Sequence, residues 1–530
     1  MNTDQNTGAR TSGAHLTFWI DTVDPIQFSP LQQDRQADVV VVGAGISGLS
    51  VAYTLAKAGR KVIVLEDGFV GSGETGRTTA HLSNALDDSY TEIEHYHGEE
   101  GARMAAESHT EAINFIERTV QEENIDCEFE RLNGYLFLHP TDQPETLNQE
   151  FAAARRAGID LHRQAQVPGF AKEEGQCLQF PNQAQFHPMK YLKGLTDAFV
   201  RLGGEIFTET RVKEVREDGV KTDQYTVKAT DIVVATNTPI NDIFTMHTKQ
   251  WPYRTYVVGV KIPKDSVPAA LWWDTGDQQS EWVSQPYTYV RLQRLDAEND
   301  LVICGGHDHK TGQADEENVP ETDRYQLLID WVRAHFPMAT EVAYRWSGQV
   351  MEPLDAMAYI GKNPGNDHIY IVTGDSGNGM THGTIAGLLI PDLILGRENP
   401  WAKLYDPARI SLKVTGDYLK ETGNFTKQLA DYFMASQVDD VNDLSNGQGA
   451  ILNSGLQKVA AYRDEQGELH THSAICPHLG CVVQWNPDEK SFDCPCHGSR
   501  FTGKGVVVNG PAASDLKPVT VSAKSGKDGQ

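Results

Sequence analysis

Four of the seven cysteines in this 530-residue chain, Cys476, Cys481, Cys494 and Cys496, fall within 21 residues, with one histidine among them and a second directly after. The order is Cys476-Pro-His478-Leu-Gly-Cys481 and, after 15 residues beyond His478, Cys494-Pro-Cys496-His497-Gly-Ser499. One cysteine and one histidine from each of two loops, spaced Cys-x-His and Cys-x-x-His, offer two thiolates to one iron and two neutral imidazoles to another. The same four side chains also suit tetrahedral zinc. Cys127, Cys177 and Cys304 are scattered through the rest of the chain, which is not the density of a disulfide scaffold.

A second constellation stands near the N-terminus. Gly43, Gly45 and Gly48, with Ala44 and Ser47 in the same turn, form Gly-x-Gly-x-x-Gly between an apolar strand and a helix. The first glycine permits a tight turn, the second a close approach to a pyrophosphate, and the third close helix packing, with the helix N-terminus facing the phosphates. Glu66 ends the next strand, 18 residues after Gly48, where a carboxylate accepts from a ribose hydroxyl. Strand, turn, helix and acid in register predict an adenine dinucleotide.

Residues 71–83, GSGETGRTTAHLS, then continue with small and hydroxyl side chains. With Asp231-Ile-Val-Val-Ala-Thr-Asn and Thr373-Gly-Asp-Ser-Gly-Asn-Gly-Met-Thr-His, they resemble the D-amino-acid oxidase-like FAD-dependent oxidoreductases over roughly residues 37–400. The resemblance implies FAD rather than NAD. It sets Arg77 and Thr78 near the pyrophosphate, Thr79, Ala80 and His81 near the flavin ring, and Val212 beside the adenine. Gly374, Gly377, Gly379, Met380 and Thr381 would form a turn whose helix N-terminus stabilises negative charge on the reduced ring. Thr381 stands where relatives often carry lysine. His81 is open to three roles: a covalent tether, a noncovalent contact, or packing. A rival NADPH site at Gly377, Gly379 and Gly383 would need a further parallel strand, but the chain runs on into Arg-Glu-Asn-Pro.

Residues 441–525 resemble Rieske proteins of the high-potential kind. The resemblance implies Cys476, His478, Cys494 and His497 as ligands of a [2Fe-2S] cluster and a disulfide between Cys481 and Cys496, a pair for which zinc has no use. Such clusters work at ~-150 to +300 mV, against about -400 mV for plant-type ferredoxins. Ser499 matches their sulfur-facing serine. Phe501 replaces their tyrosine, which removes one donor and predicts a potential below the upper end.

The elements that position these groups read as α/β plus all-β: an FAD-binding Rossmann-like domain, an interleaved mixed-sheet substrate domain and a small β domain. The expected division is an extension at 1–36, an FAD domain from 37–95, 183–249 and 350–400, a substrate domain from 96–182 and 250–349, a linker at 401–440 and the Rieske unit at 441–530. Helices are expected over 100–125, 145–157, 189–202 and 323–335. Phe186-His187-Pro188 reads as a helix entry. On presumed strands of the substrate domain, Arg254, Tyr256, Tyr287, Tyr289 and Arg291 are the candidates for holding substrate over the flavin.

With 46 Lys plus Arg against 73 Asp plus Glu, the net charge is -27, which repels phosphate backbones and makes nucleic acid a poor partner. The charge-free run from Val39 to Ala56 carries glycines and a change of period, so it reads as strand, turn and helix rather than a membrane span. With no export signal evident, the expected address is cytoplasmic. The leading function is oxidation of an amine, amino acid or related hydride donor, with electrons passing from FAD to the cluster and on to an acceptor protein or quinone. Alternatives are reverse flow, from a ferredoxin or reductase through the cluster to FAD for a reductive or oxygen-activating step, and a redox-responsive electron-transfer module without turnover.

Overall fold

The computed structural model describes residues 12–170, 175–241, 246–280, 285–313, 321–410, 438, 440–455 and 457–521. The linker expected at 401–440 therefore lies mostly outside the described residues, as does the N-terminal extension up to residue 11.

Val39–Val42 is four valines, buried at every position, as a strand covered on both faces must be. It belongs to a six-stranded sheet ordered Tyr359–Lys362, Ile369–Thr373, Asp231–Val234, Val39–Val42, Val62–Leu65 and Glu205–Phe207. Neighbours run parallel except at the Tyr359–Lys362 edge. The chain leaves Val39–Val42 toward Val62–Leu65, while Asp231–Val234 occupies the other side. That switch of direction opens a crevice at the strands' carboxyl ends, where open α/β sheets bind ligands. The Ile46–Lys57 helix lies against the Gly379–Ile394 helix. Their approach requires glycine: a Cβ at Gly387 would sit 2.5 Å from Ser50 Cβ.

The expected helix at 100–125 is the later part of a longer one, Ser89–Glu122, bent at Gly98. The one expected at 189–202 is Pro188–Arg201, and His187 caps it by accepting from Lys190 N–H.

A nine-stranded mixed sheet faces the crevice, ordered Val342–Pro353, Gln250–Pro263, Asn299–Lys310, Thr288–Arg294, Leu271–Asp274, Glu130–Phe137, Cys177–Gln185 and His81–Leu82, with His162–Gln164 beside Cys177–Gln185. On its far face Tyr256, Val258 and Val260 share a core with Tyr325, Leu328, Val332 and Phe336 of the Glu321–His335 helix. Thr255 and Val257, one position out of phase, face the crevice.

The C-terminal unit holds a three-stranded and a four-stranded antiparallel sheet. Ile451, Ala460, Tyr462, Val483, Phe492 and Phe501 give it a core of its own. Between the two bodies runs the segment Ser12–His15. Ser12 N–H donates to Ser72 O (3.2 Å) on one side, and Ala14 N–H donates to Glu489 Oε2 (2.6 Å) on the other.

Candidate active site and metal centre

Gly43 ends its strand at φ 104°, and a Cβ there would meet the Ala235 carbonyl oxygen at 2.4 Å. Gly48 backs onto it, with 1.9 Å between an added Cβ and the Gly43 carbonyl oxygen. Ala44 N–H donates to Glu66 Oε2 (2.7 Å) and Gly68 N–H to Oε1 (3.0 Å). Burial and the neighbouring Asp67 nevertheless push the Glu66 pKa up to about 8. At the helix start Ile46 N–H donates to Thr75 Oγ1 (3.1 Å).

Gly43, Gly45, Ser47, Glu66 and Val212 line one end of a long cavity that continues past Thr78, Thr79 and His81 to Gly377, Gly379 and Met380. A continuous cleft with a glycine turn at one end and a helix N-terminus along its wall fits an extended dinucleotide. Ala44, Gly48, Ala80, Gly374 and Thr381 stand behind this wall. The Thr381 hydroxyl meets His109 Nδ1 at 2.8 Å and donates to Asn378 O. His81 is held by Thr79 Oγ1 at Nδ1 (3.1 Å) and the Val290 carbonyl at Nε2 (3.2 Å). Burial, reinforced by Arg291, lowers its pKa to about 3, so the imidazole is neutral.

Beyond His81 the wall is aromatic and acidic, with Trp273, Tyr287, Tyr289, Asp87 and Asp308. Tyr287 OH donates to Asp87 Oδ2 (2.9 Å). Asp87 opens onto the cavity, yet the protein around it and the adjacent Asp88 push its pKa up to about 7. Behind it the Ser376 hydroxyl sits between Asp88 and Glu352. Besides Arg77 and Arg211, no lysine or arginine among the described residues lines the cavity.

Of the five substrate candidates, Tyr287 and Tyr289 reach this wall and three do not. Arg254 and Tyr256 point to the opposite face of their strand, by the alternation noted above. Arg254 NH2 lies 3.0 Å from Glu489 Oε1. Arg291 NH1 donates to the carbonyls of Thr79, Ala80 and Phe186 at 3.3, 2.9 and 3.0 Å, so it braces the loop beside His81. Arg77 lines the cavity, while its guanidinium is engaged by the C-terminal unit and its neighbours. It donates to Ser347 O, His15 O and Glu489 Oε1. Arg500 completes the set, NH2 to Glu489 Oε2 at 3.8 Å. Burial alone would raise the Glu489 pKa, but Arg254, Arg77 and Arg500 hold it well below the usual carboxylate range.

The two cysteine-histidine loops close in the same way. Cys476 N–H donates to Cys481 O and Gly480 N–H to Cys476 O; Cys494 N–H donates to Ser499 O and Gly498 N–H to Cys494 O, all within 2.8 to 3.0 Å. Cys481 and Cys496 are joined by a disulfide, while Cys476 and Cys494 are reduced and buried. The His478 and His497 rings lie 5.0 Å apart, and burial holds His497 neutral with a pKa of about 3. Two thiols beside two imidazoles, with a neutral nitrogen ready to ligate, fit a cluster of two irons. Ala512 N–H donates to Ser499 Oγ (3.0 Å). The same segment contributes Val507, Val508, Asn509, Gly510, Ala512 and Ala513 to the dinucleotide cavity, and Asn509 Nδ2 donates to Glu74 Oε1 (2.9 Å).

The family model for FAD dependent oxidoreductases matches residues 38–393, and that for the Rieske [2Fe-2S] domain matches residues 434–520. The chain belongs to the FAD-dependent oxidoreductase family and ends in a Rieske domain. It is 32% identical over 515 residues to the putative Rieske 2Fe-2S iron-sulfur protein YhfW of Bacillus subtilis, covering 95% of this chain and 97% of that one. It is 28% identical to gamma-glutamylputrescine oxidoreductase of Escherichia coli, over 70% of this chain and 86% of the relative. Among solved structures, glycine oxidase from Geobacillus kaustophilus superposes with a TM-score of 0.57 at 18% identity, over 71% of this chain and 99% of the other, a likeness of fold. This oxidoreductase uses FAD and a [2Fe-2S] cluster. No helix among its described residues is long and apolar enough to cross a membrane.

Sequence reasoning missed Asp87, Thr75, Trp273, Asp308, Glu489 and the 507–513 segment. Thr75 lies within the 71–83 stretch without a role of its own there, and the others carry no motif. Strand alternation brings Trp273 and Asp308 to the site, short local turns bring Thr75 and Asp87, and contact between the two bodies brings Glu489 and the 507–513 segment.

Proposed function

We propose that this oxidoreductase oxidises a cationic amine and sends the electrons through its Rieske cluster to an external acceptor protein or quinone. The observation that carries the proposal is the shared wall: the 507–513 segment borders the dinucleotide cavity and, through Ala512, holds Ser499 of a cluster loop. Gly43, Ala44, Gly45, Ser47 and Gly48 would hold the FAD pyrophosphate, Glu66 the ribose and Val212 the adenine. Thr78, Thr79, Ala80 and His81 would hold the ring from one side, and the Gly374–Thr381 turn from the other. Cys476 and Cys494 would ligate one iron, His478 and His497 the second.

When bound, FAD supplies the hydride acceptor, and the cluster supplies a one-electron outlet. The substrate loses a C–H bond and two electrons to become an imine, which water converts to a carbonyl compound and the released amine. The chain's own residues select and orient. Asp87 Oδ2 and Asp308 draw an ammonium group to a wall of Trp273, Tyr287 and Tyr289, where cation–π contact adds to charge attraction. With a pKa of about 7, Asp87 is matched to take the ammonium proton before hydride leaves, as an effective base must be. Arg291 fixes the loop beside the ring, and His81 stays neutral there.

Anaerobic mixing with a panel of diamines, polyamines and neutral amino acids tests the proposal. The expected result is flavin bleaching by cationic amines, followed by the cluster's EPR signal. Flavin that is reduced only from the cluster side, with no bleaching by any amine, would overturn it.

A further inference from the structure

His247 belongs to neither cofactor motif, yet its buried ring lies 4.7 Å from that of His478 and 5.6 Å from that of His497. The three imidazoles meet edge to face, at interplanar angles of 74°, 61° and 85°. The flavin-binding body holds His247 on a fixed turn. Lys249 N–H donates to Met246 O (3.1 Å), and Met246 is buried in the core with Val42, Val234 and Ile371. Lys249 Nζ donates to the carbonyls of Pro407 and Arg409 at 2.8 and 2.9 Å. The second cluster loop is pressed onto the same body. Gln349 Nε2 donates to Gly498 O and Gln313 Nε2 to Pro495 O, each at 3.1 Å. A Cβ at Gly498 would lie 2.5 Å from Pro252 Cβ. Pro477 and Gly480 of the first loop stay exposed.

We infer that His247 is a positioning residue for the two imidazole ligands: it fills the gap between them, excludes water from that edge and fixes it against the flavin-binding body. The inference rests on the assignment of His478 and His497 as ligands. His497 is buried under this cover, whereas His478 keeps partial exposure beside Pro477 and Gly480, so an external partner would approach the cluster from the side of the first loop. Partners of metal-bound histidines set ring orientation and metal retention even without touching the metal.

The test uses the full chain, loaded with FAD and cluster, as wild type, His247→Ala and His247→Phe. After reduction by dithionite in D2O, pulsed EPR reads solvent deuterium near the cluster, and the continuous-wave spectrum reads its g-values. His247→Ala is expected to raise the deuterium modulation, shift the g-values and speed iron loss to a chelator about tenfold or more. His247→Phe, which refills the space, is expected to restore low deuterium modulation. Unchanged deuterium modulation and g-values in His247→Ala would overturn the inference. If His247→Ala retains no cluster, His247→Phe decides: wild-type exclusion supports the inference and a wet cluster overturns it. Because dithionite replaces the amine, a protein whose flavin no amine bleaches still reveals whether His247 shields the cluster. A wild type without a Rieske signal would overturn the ligand assignment and the inference together.

Discussion

The proposed dinucleotide cradle draws Gly43, Glu66, Val212 and Gly377 from separate stretches of chain, whereas the proposed cluster ligands all lie between Cys476 and His497. The first site is built largely of backbone, and its glycines work by having no side chain. The second is built of side-chain donors on two matched loops inside a unit with its own small core. A distributed site depends on the whole α/β body folding and degrades by degrees. A local donor set is present or absent as a unit.

The largest effect that would sharpen this contrast is at the ligands. Cys494→Ser or His478→Ala should abolish the Rieske EPR signal while flavin absorbance stays at the wild-type level; loss of both cofactors together would break the contrast. At the cradle, Gly48→Val places carbon on the Gly43 carbonyl, and FAD content after purification should fall at least about tenfold, the equivalent of ~1.4 kcal/mol, while iron content persists.

Between the two sites lies a third region, unlike either. Glu489→Ala leaves Arg77, Arg254 and Arg500 buried without their shared carboxylate, which should cost ~3–5 kcal/mol, read by denaturant unfolding with the cofactors' absorbance followed separately. The Glu489 pKa is depressed, so its contribution is present above the ordinary carboxylate value and is lost only as pH falls through the still lower folded value. Docking of the two bodies should therefore persist through mildly acidic pH and fail in strong acid. A loss of docking between pH 5 and 7 would point to another group.

The effect expected at Asp87 is on turnover rather than on either cofactor. Its pKa of about 7 lies above the ordinary value, so ionising it costs folding stability as pH rises toward 7, and a bound ammonium returns that cost. kcat/KM for a cationic amine should rise with pH through about 7. Asp87→Asn should flatten that limb and lower kcat/KM about 10- to 100-fold, the worth of one hydrogen bond to a charged group. An unchanged pH profile in the variant would remove Asp87 from the proposed substrate contacts.

What the sequence discloses follows from range. The strand, turn and helix at 38–66 and the paired cysteine-histidine loops are legible because their periods and spacings are local. Pro188 and His187 announce their helix for the same reason. Arg77 and Glu489 are 412 residues apart, and nothing at either position signals the other. Gln250–Pro263 is readable as strand, but which of Arg254 and Thr255 faces the cavity depends on where the Glu321–His335 helix packs. His247, with no partner motif, becomes visible only once the C-terminal unit is docked.

The segment Ser12–His15, held by Ser72 on one side and Glu489 on the other, ties together residues 475 positions apart. During synthesis the ribosome releases this segment and both flavin-side arginines long before Glu489 exists. A product truncated ahead of residue 489 would thus display a loose leading end and two guanidiniums shaped for burial but left uncovered.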